Sequence, residues 1–327
     1  MTMSNYIAKV AIVGAGGNSG SFMTKALIST GKHVVTAISR EDSQSKLPDG
    51  VIVKKVDYNR PETIVEALRG QDALIITLSG HVPKGTDTEL INAASEAGVP
   101  WVLPNEWSPD SANEDLVKDV FPFQSKVVVR KAIEHLGKSS YISVVTGFWY
   151  EWSLAIAPAF GIDLSNRKAT FYDEGETKIS VSTWPHIGRA VAALLSLPIR
   201  PEKEDSKQPC LENFRNKVVY TNSFTINQKE MFESALRVTG TKEDDWTTIK
   251  EPSHERYASG LEEIKQGQRI GFAKMMYTRV FFPDGCGDFE HKGTLNELLG
   301  LPKQGTEELD EATKVAIERA KATSWGH

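Results

Sequence analysis

The segment Gly14-Ala15-Gly16-Gly17-Asn18-Ser19-Gly20 constrains this chain more than any other stretch of it. It follows the apolar run Val10-Ala11-Ile12-Val13, which reads as a buried parallel strand. It opens residues 18–30, which read as a helix with Phe22, Ala26 and Leu27 on one face. Strand, glycine turn and helix, in that order, are the context in which spaced glycines mark a dinucleotide site. Gly14 permits the tight turn, Gly17 lets the backbone approach a pyrophosphate, and Gly20 lets the helix lie close to the strand. The anion then rests on free N–H groups at the helix start, where the helix dipole favours negative charge. Asn18 and Ser19 stand at that start, so they join the glycines as expected cofactor contacts.

The end of the second strand, residues 33–38, refines the choice of cofactor. A site for NAD places Asp or Glu there, about 20 residues past the glycines, to hold the ribose 2′-hydroxyl. This chain has Ser39-Arg40 instead. A guanidinium grips a 2′-phosphate through two parallel hydrogen bonds, and Lys46 in the following loop adds a second positive charge. The local chemistry therefore predicts NADPH/NADP+ rather than NAD(H).

The alternation continues to about residue 146. Residues 51–56 read as a strand, and Pro61 suits the first position of the helix that stops before Gly70. The unbroken apolar run 73–78 is that of a strand covered on both faces. A helix over 86–97 ends at Gly98, a strand covers 99–103, a helix 123–136, and a sixth strand 141–145. Repeated βα units predict an α/β fold with a doubly wound parallel sheet of Rossmann type. We expect an NADP-binding domain over residues 1–150 and a smaller mixed α/β substrate-binding region over 151–327. Residues 217–221 have the pattern of a late strand able to rejoin the main sheet, while 198–209 read as a loop. Helices are expected near 228–238, 253–265 and 307–323. Ligands bind such sheets beyond the carboxyl ends of the strands. That rule puts Asp57, Ser79 and Phe148 on the cofactor rim with Arg40, and Asn105-Glu106 beside them.

Composition removes several classes of function. The formal charge is −5, which gives no basic face for nucleic acid. Cys210 and Cys286 form no C-x-x-C pair, and the seven His show no ligand spacing, so no metal is expected. No apolar run approaches the roughly 18 residues of a membrane span, and no leader is evident near the start, so the expected location is cytoplasmic. No G-x-S-x-G elbow suggests a hydrolase.

The usual Tyr-x-x-x-Lys dyad of short-chain dehydrogenases is missing: no Tyr here has a Lys four residues on. Lys126, near the start of the helix at 123–136, offers another acid. A helix N-terminus and partial burial both disfavour an ammonium ion, so such an amine can exchange a proton near neutral pH. Taken alone, a Lys on a helix is usually a solvated charge.

Four stretches resemble the NmrA-like, isoflavone-reductase-like branch of atypical short-chain dehydrogenases. They are Gly14-x-x-Gly17-x-x-Gly20, Arg40 after the second strand, Pro104-Asn105-Glu106-Trp107 after the fifth, and Phe123-x-x-Lys126-x-x-x-Arg130-x-x-Ile133-Glu134. The resemblance is good over roughly the first 150 residues and loose beyond. It implies that Lys126 is the catalytic Lys of the family. Where plant reductases of the family often have Asn-Cys-Phe, this chain has Thr146-Gly147-Phe148, so the polar Asn contact is replaced while Phe148 remains for the nicotinamide. Trp149, Tyr150 and Trp152 follow, and with Trp107 they suggest an aromatic-walled substrate cleft. His186 reads as a helix-start residue, and Glu106 as a structural acceptor of backbone N–H groups.

The expected function is an NADPH-dependent reductase of a small apolar, aromatic or polycyclic metabolite. Hydride would go to a conjugated C=C or C=N carbon, with Lys126 as general acid or base. Two other readings stay open: a non-catalytic NADP-sensing regulator, and a non-redox enzyme, such as a cyclase, that keeps NADP(H) as part of its pocket. The expected partner is a small-molecule substrate, with neither nucleic acid nor membrane, and the chain is a monomer or homodimer.

Overall fold

Strand β1 (Lys9–Val13) shows how the sequence builds the fold. Its side chains alternate between two cores, as the period of a strand requires. Val10 and Ile12 enter one apolar cluster, and Ala11 and Val13 enter another on the opposite face. Both faces are covered, which is why the strand is apolar throughout.

The computed structural model describes residues 4–80, 82–201, 203 and 208–322. After β1 come α1 (Asn18–Ser29), β2 (Val34–Arg40), β3 (Ile52–Val56), α2 (Pro61–Leu68), β4 (Ala73–Ile76), α3 (Thr86–Ala97) and β5 (Trp101–Leu103). Then follow α4 (Glu114–Asp119), α5 (Gln124–Leu136) and β6 (Ser140–Val145). The next elements are short: β7 (Phe148–Trp149), α6 (Tyr150–Ser153), α7 (Ala157–Phe160), β8 (Ile162–Asp163), β9 (Lys168–Tyr172) and β10 (Ile179–Ser182). The chain ends with α8 (Trp184–Leu195), β11 (Lys217–Tyr220), β12 (Phe224–Ile226), α9 (Gln228–Thr239), β13 (Thr247–Glu251), α10 (Ser253–Lys265), α11 (Arg269–Arg279) and α12 (Thr306–Ala322).

Seven parallel strands make the main sheet, in the order β11-β6-β5-β4-β1-β2-β3. The late strand does rejoin it: Lys217 pairs with Ile142 and Val219 with Val144. Met23 and Leu27 of α1 and Ile187 and Val191 of α8 pack on one face. Ile64 and Leu68 of α2, Leu90 and Ile91 of α3, and Ile133 of α5 pack on the other. The result is an α/β fold with a doubly wound parallel sheet.

A third cluster lies in the smaller mixed α/β region, where Phe160, Phe171, Phe232, Tyr277 and Phe281 pack together. Two three-stranded sheets, β12-β10-β7 and β13-β9-β8, carry it. Several of these strands have only two to four residues, too few for an alternating pattern to show in sequence. The loop expected over 198–209 and the helix expected to reach 323 fall partly outside the described residues.

Candidate functional site

The first turn of the site is forced by sterics. Gly14 has φ +84°, and a Cβ there would sit 2.1 Å from the Thr77 carbonyl oxygen. A Cβ on Gly20 would likewise meet the Gly14 carbonyl oxygen at 2.1 Å. Gly17 caps α1 with no side-chain hydrogen bond, which leaves the first N–H groups of the helix open. Thr77 sits beneath the turn, its hydroxyl donating to the Val13 and Gly14 carbonyls at 3.1 and 3.2 Å.

A cavity of about 1040 Å³ runs from this turn along the carboxyl ends of the strands, at the upper end of the size usual for ligand pockets. Gly14, Gly17, Asn18, Ser19, Arg40, Asp57 and Ser79 line it, together with Asn105 and Trp149. The strand-end rule thus brings together most of the cofactor contacts expected from sequence. Arg40 is the last residue of β2, its side chain 67% exposed and its Nε 3.7 Å from Asp42. Asp57 is engaged locally, accepting from Asn59 N at 2.9 Å. Lys46 does not line the cavity, although Ser45 and Leu47 on either side do. Its carbonyl, rather than its amine, approaches the turn, 2.7 Å from where a Gly16 Cβ would be. Tyr58, Lys84 and Glu89 line the cavity as well. Lys84 lies in the connection between β4 and α3, where no local pattern marks it.

Asn105, in the loop after β5, lines the cavity, and Lys126 stands behind it outside the lining. The Asn105 side chain bridges to β4's end, accepting from Leu78 N at 3.3 Å and donating to Leu78 O at 3.2 Å. Lys126, in the first turn of α5, donates from Nζ to the Asn105 carbonyl at 2.8 Å. Burial lowers the pKa of this amine from its ordinary value; the charges of Glu106 and Asp87 work against that, and Arg130 with it.

A buried ion pair holds α5 to this loop. Arg130 donates to Glu106 Oε1 at 2.6 Å, to Ser111 Oγ at 2.9 Å and to Ser111 O at 2.9 Å. Ser111 Oγ closes the triangle on Glu106 Oε2. Glu106 is therefore structural, but its partners are the Arg130 and Ser111 side chains rather than the backbone N–H groups expected. Lys126 and Arg130 lie one helical turn apart, so the pair sets where the Lys126 amine can reach.

The aromatic residues divide. Trp149 faces the cavity. Trp107 belongs instead to the core beneath the sheet: it is 5% exposed and its indole N–H donates to the Ile76 carbonyl at 2.7 Å. Tyr150 is fully buried in the C-terminal cluster, its hydroxyl 2.9 Å from Thr313 Oγ1. Neither forms a wall of this cavity. Trp152 is half-buried against both clusters, with the Arg319 guanidinium over its ring at 4.8 Å. Phe148 is buried and stacked on Tyr277 with ring centroids 4.0 Å apart. It too lies outside the cavity lining, because Gly147 turns the chain aside. Gly147 has φ +68°, and a Cβ there would fall 1.9 Å from the Ser180 carbonyl oxygen. That close pass of β10 gives a physical reason for glycine in Thr146-Gly147-Phe148.

His186, in the first turn of α8, is buried between Thr221 Oγ1 and Gln304 Nε2, both at 2.8 Å. Burial lowers its pKa to about 4, so it is a neutral structural clip. Among the described residues no group of His, Cys, Asp and Glu is arranged to hold a metal, and no helix is long and apolar enough to cross a membrane.

Comparison with known proteins agrees with this architecture. Oxidoreductase aprR of Aspergillus flavus is 30% identical over 310 residues, which cover 92% of this chain and 97% of that protein. Oxidoreductase poxI of Penicillium oxalicum is 26% identical over 309 residues, 90% of each chain. Among solved structures, the pinoresinol-lariciresinol and phenylcoumaran benzylic ether reductases superpose with a TM-score of 0.72 at 19% identity, covering 93% of this chain and 99% of that one. The NADPH-dependent quinone oxidoreductase QOR2 of Escherichia coli, complexed with NADPH, gives a TM-score of 0.67 at 21% identity, with the same coverage. The fold is thus related to that of several NADPH-dependent reductases. The model of the NmrA-like family matches residues 7–195, more than half of the chain, and with a relative this similar over nearly its whole length it shows that the protein belongs to the NmrA-like family.

Proposed function

We propose that this protein is an NADPH-dependent reductase of a small conjugated metabolite, with Lys126 moving the proton. The observation that carries the reading is one continuous cavity. It is lined by the start of α1 with its open N–H groups, by Arg40 and by Asn105, whose carbonyl holds the Lys126 amine; Lys126 itself is not among the lining residues. The residues present fit NADP(H). Side chains at Gly14 and Gly20 would collide with the turn that forms the cradle. Ser39 stands where an NAD site would place a carboxylate. Arg40 is exposed, and its 3.7 Å contact with Asp42 is weak enough for a 2′-phosphate to replace it.

When bound, NADPH supplies a hydride for a conjugated C=C or C=N carbon of the substrate. The chain supplies the rest. The α1 N-terminus would hold the pyrophosphate and Arg40 the 2′-phosphate, and Trp149 gives the cavity an aromatic wall. Lys126 gives its proton to the atom that becomes negative as the carbon is reduced, and it regains one from solvent. Burial lowers the pKa of this amine, which makes it a readier proton donor than a solvated lysine. With Trp107 and Tyr150 in the cores and Trp152 packed against both clusters, Trp149 is the one of the four expected cleft aromatics that lines the cavity, so the substrate is defined by conjugation more than by a polycyclic shape.

The test is turnover with a panel of conjugated carbonyl and iminium compounds, followed by NADPH absorbance. Lys126→Ala should keep its affinity for NADPH and lose roughly 10²–10⁴-fold in turnover. Lys126→Arg should not restore it, because a guanidinium keeps its proton throughout the working range. Near-normal turnover of Lys126→Ala would refute the assignment.

A further inference from the structure

The Lys126 amine has three protons to place, and the Asn105 carbonyl takes one. Glu106 is a poor second partner. Its Oε1 already accepts from Arg130 and, at 3.5 Å, from Ser143, and its Oε2 accepts from Ser111. Asp87 is in the opposite condition. It lies in the first turn of α3, next to Thr86, which lines the cavity. Its Oδ1 is buried and takes no hydrogen bond from any described residue. A buried carboxylate oxygen without a donor is costly, and helix capping does not account for it. Gly85 occupies the N-cap of α3, and no side chain caps that helix. Helices α3 and α5 lie side by side on the same face of the sheet.

We propose that Asp87 is the positioning residue of Lys126, its carboxylate being the counter-charge that keeps the amine protonated and turned toward the cavity. The inference rests on the reading of Lys126 as proton donor. The charges acting on this amine are Glu106 and Asp87, which favour its charged form, and Arg130, which opposes it. The Asp87 carboxyl in turn is pushed up by burial, held down by Lys126, and pushed up by Glu106. Glu106 acts on the amine too, but its oxygens are engaged by Arg130, Ser143 and Ser111, so Asp87 is the acidic group with a buried oxygen still without a donor. Without it, one of the two charges that oppose burial is lost and the amine moves toward the neutral form, which cannot act as an acid.

The experiment uses the whole cofactor-free protein with 13C-labelled lysine. The Lys126 resonance is identified by its loss in Lys126→Arg and is followed through a pH titration. In Asp87→Asn the midpoint should move to lower pH, and in Asp87→Glu it should return toward wild type. Turnover of Asp87→Asn should fall about tenfold at high pH, where the amine has lost its proton, and stay within about twofold at pH 6. An unmoved NMR midpoint in Asp87→Asn overturns the pairing whatever the activity shows. A lowered midpoint, together with full turnover of Lys126→Ala, upholds the pairing and overturns instead the reading of Lys126 as proton donor.

Discussion

Removing Arg130 should cost more than its distance from the cavity suggests. Its guanidinium is almost fully buried and makes three hydrogen bonds, one to a Glu106 carboxylate that is itself 1% exposed. Arg130→Met leaves a buried negative charge and a Ser111 carbonyl without their donor. Breaking a buried pair from one side costs about 3–5 kcal/mol. For a chain of this size, that is a fall in Tm of roughly 6–10 °C, at about 2 °C per kcal/mol. The companion Glu106→Gln removes the charge but leaves acceptors and donors of similar shape. The double variant should therefore recover much of the loss, since replacing both members of a buried pair is often close to neutral. Scanning calorimetry on wild type, both single variants and the double variant completes a double-mutant cycle. A loss under about 1 kcal/mol in Arg130→Met, or a double variant no more stable than that single one, would refute the reasoning. The same cycle bears on the site, because Lys126 lies one turn along α5. Arg130→Met should also lower turnover, and the double variant should restore stability more fully than turnover.

The remaining predictions concern the turn, the cofactor and pH. Gly14→Ala forces a side chain into a left-handed turn and against the Thr77 carbonyl, and should lower stability by about 2–3 kcal/mol or more; thermal melting and NADPH titration check it, and an unchanged Tm would contradict the geometry. Arg40→Ala should erase most of the preference for NADPH over NADH, about 1.5–3 kcal/mol for a charge-assisted contact, read by calorimetric titration of both cofactors; equal affinities in the wild type would end the claim. Glu151 is buried on α6 and accepts from Trp184 N at 3.0 and 3.3 Å, and burial pushes its pKa up to about 7 from the ordinary 4.5. The folded protein thus holds a proton that the unfolded chain has lost between those values, and stability falls as pH rises through that window. Glu151→Gln keeps the acceptor and loses the charge, so its advantage over wild type should be small at pH 4 and grow to about 3 kcal/mol by pH 8; equal melting curves at both pH values would refute it.

How much of this was legible in the sequence depended on range. The glycine turn, the apolar runs of β1 and β4, and Gly98 after α3 act on their neighbours, so the sheet, its helices and much of the cavity lining follow from local pattern. Phe148 and Tyr150 did not. Their direction depends on the turn at Gly147, which is fixed by a β10 strand too short to be read. Tyr150 is also fixed by Thr313, 163 residues away. Trp107 follows a strand end, which suggests a cleft, yet its indole N–H donates to a carbonyl of the neighbouring β4, 31 residues back. Charge alone marks Lys46 in the sequence, whereas its backbone carbonyl is the part near the glycine loop. The Glu106–Arg130 pair lay within two stretches already singled out, but nothing in either stretch says that they meet.

A dinucleotide seated on the glycine turn should give its hydride to a substrate beside Lys126. Incubation with NADPH carrying deuterium at nicotinamide C4, and mass analysis of the product, tests it most directly. The product should carry one deuterium from one face of the labelled cofactor, matched by an equal amount of NADP+. Product without label and without loss of NADPH would contradict it and make the cofactor a fixed part of the pocket. NADPH bound tightly, with no product from any conjugated compound tried, would contradict it in favour of a sensor.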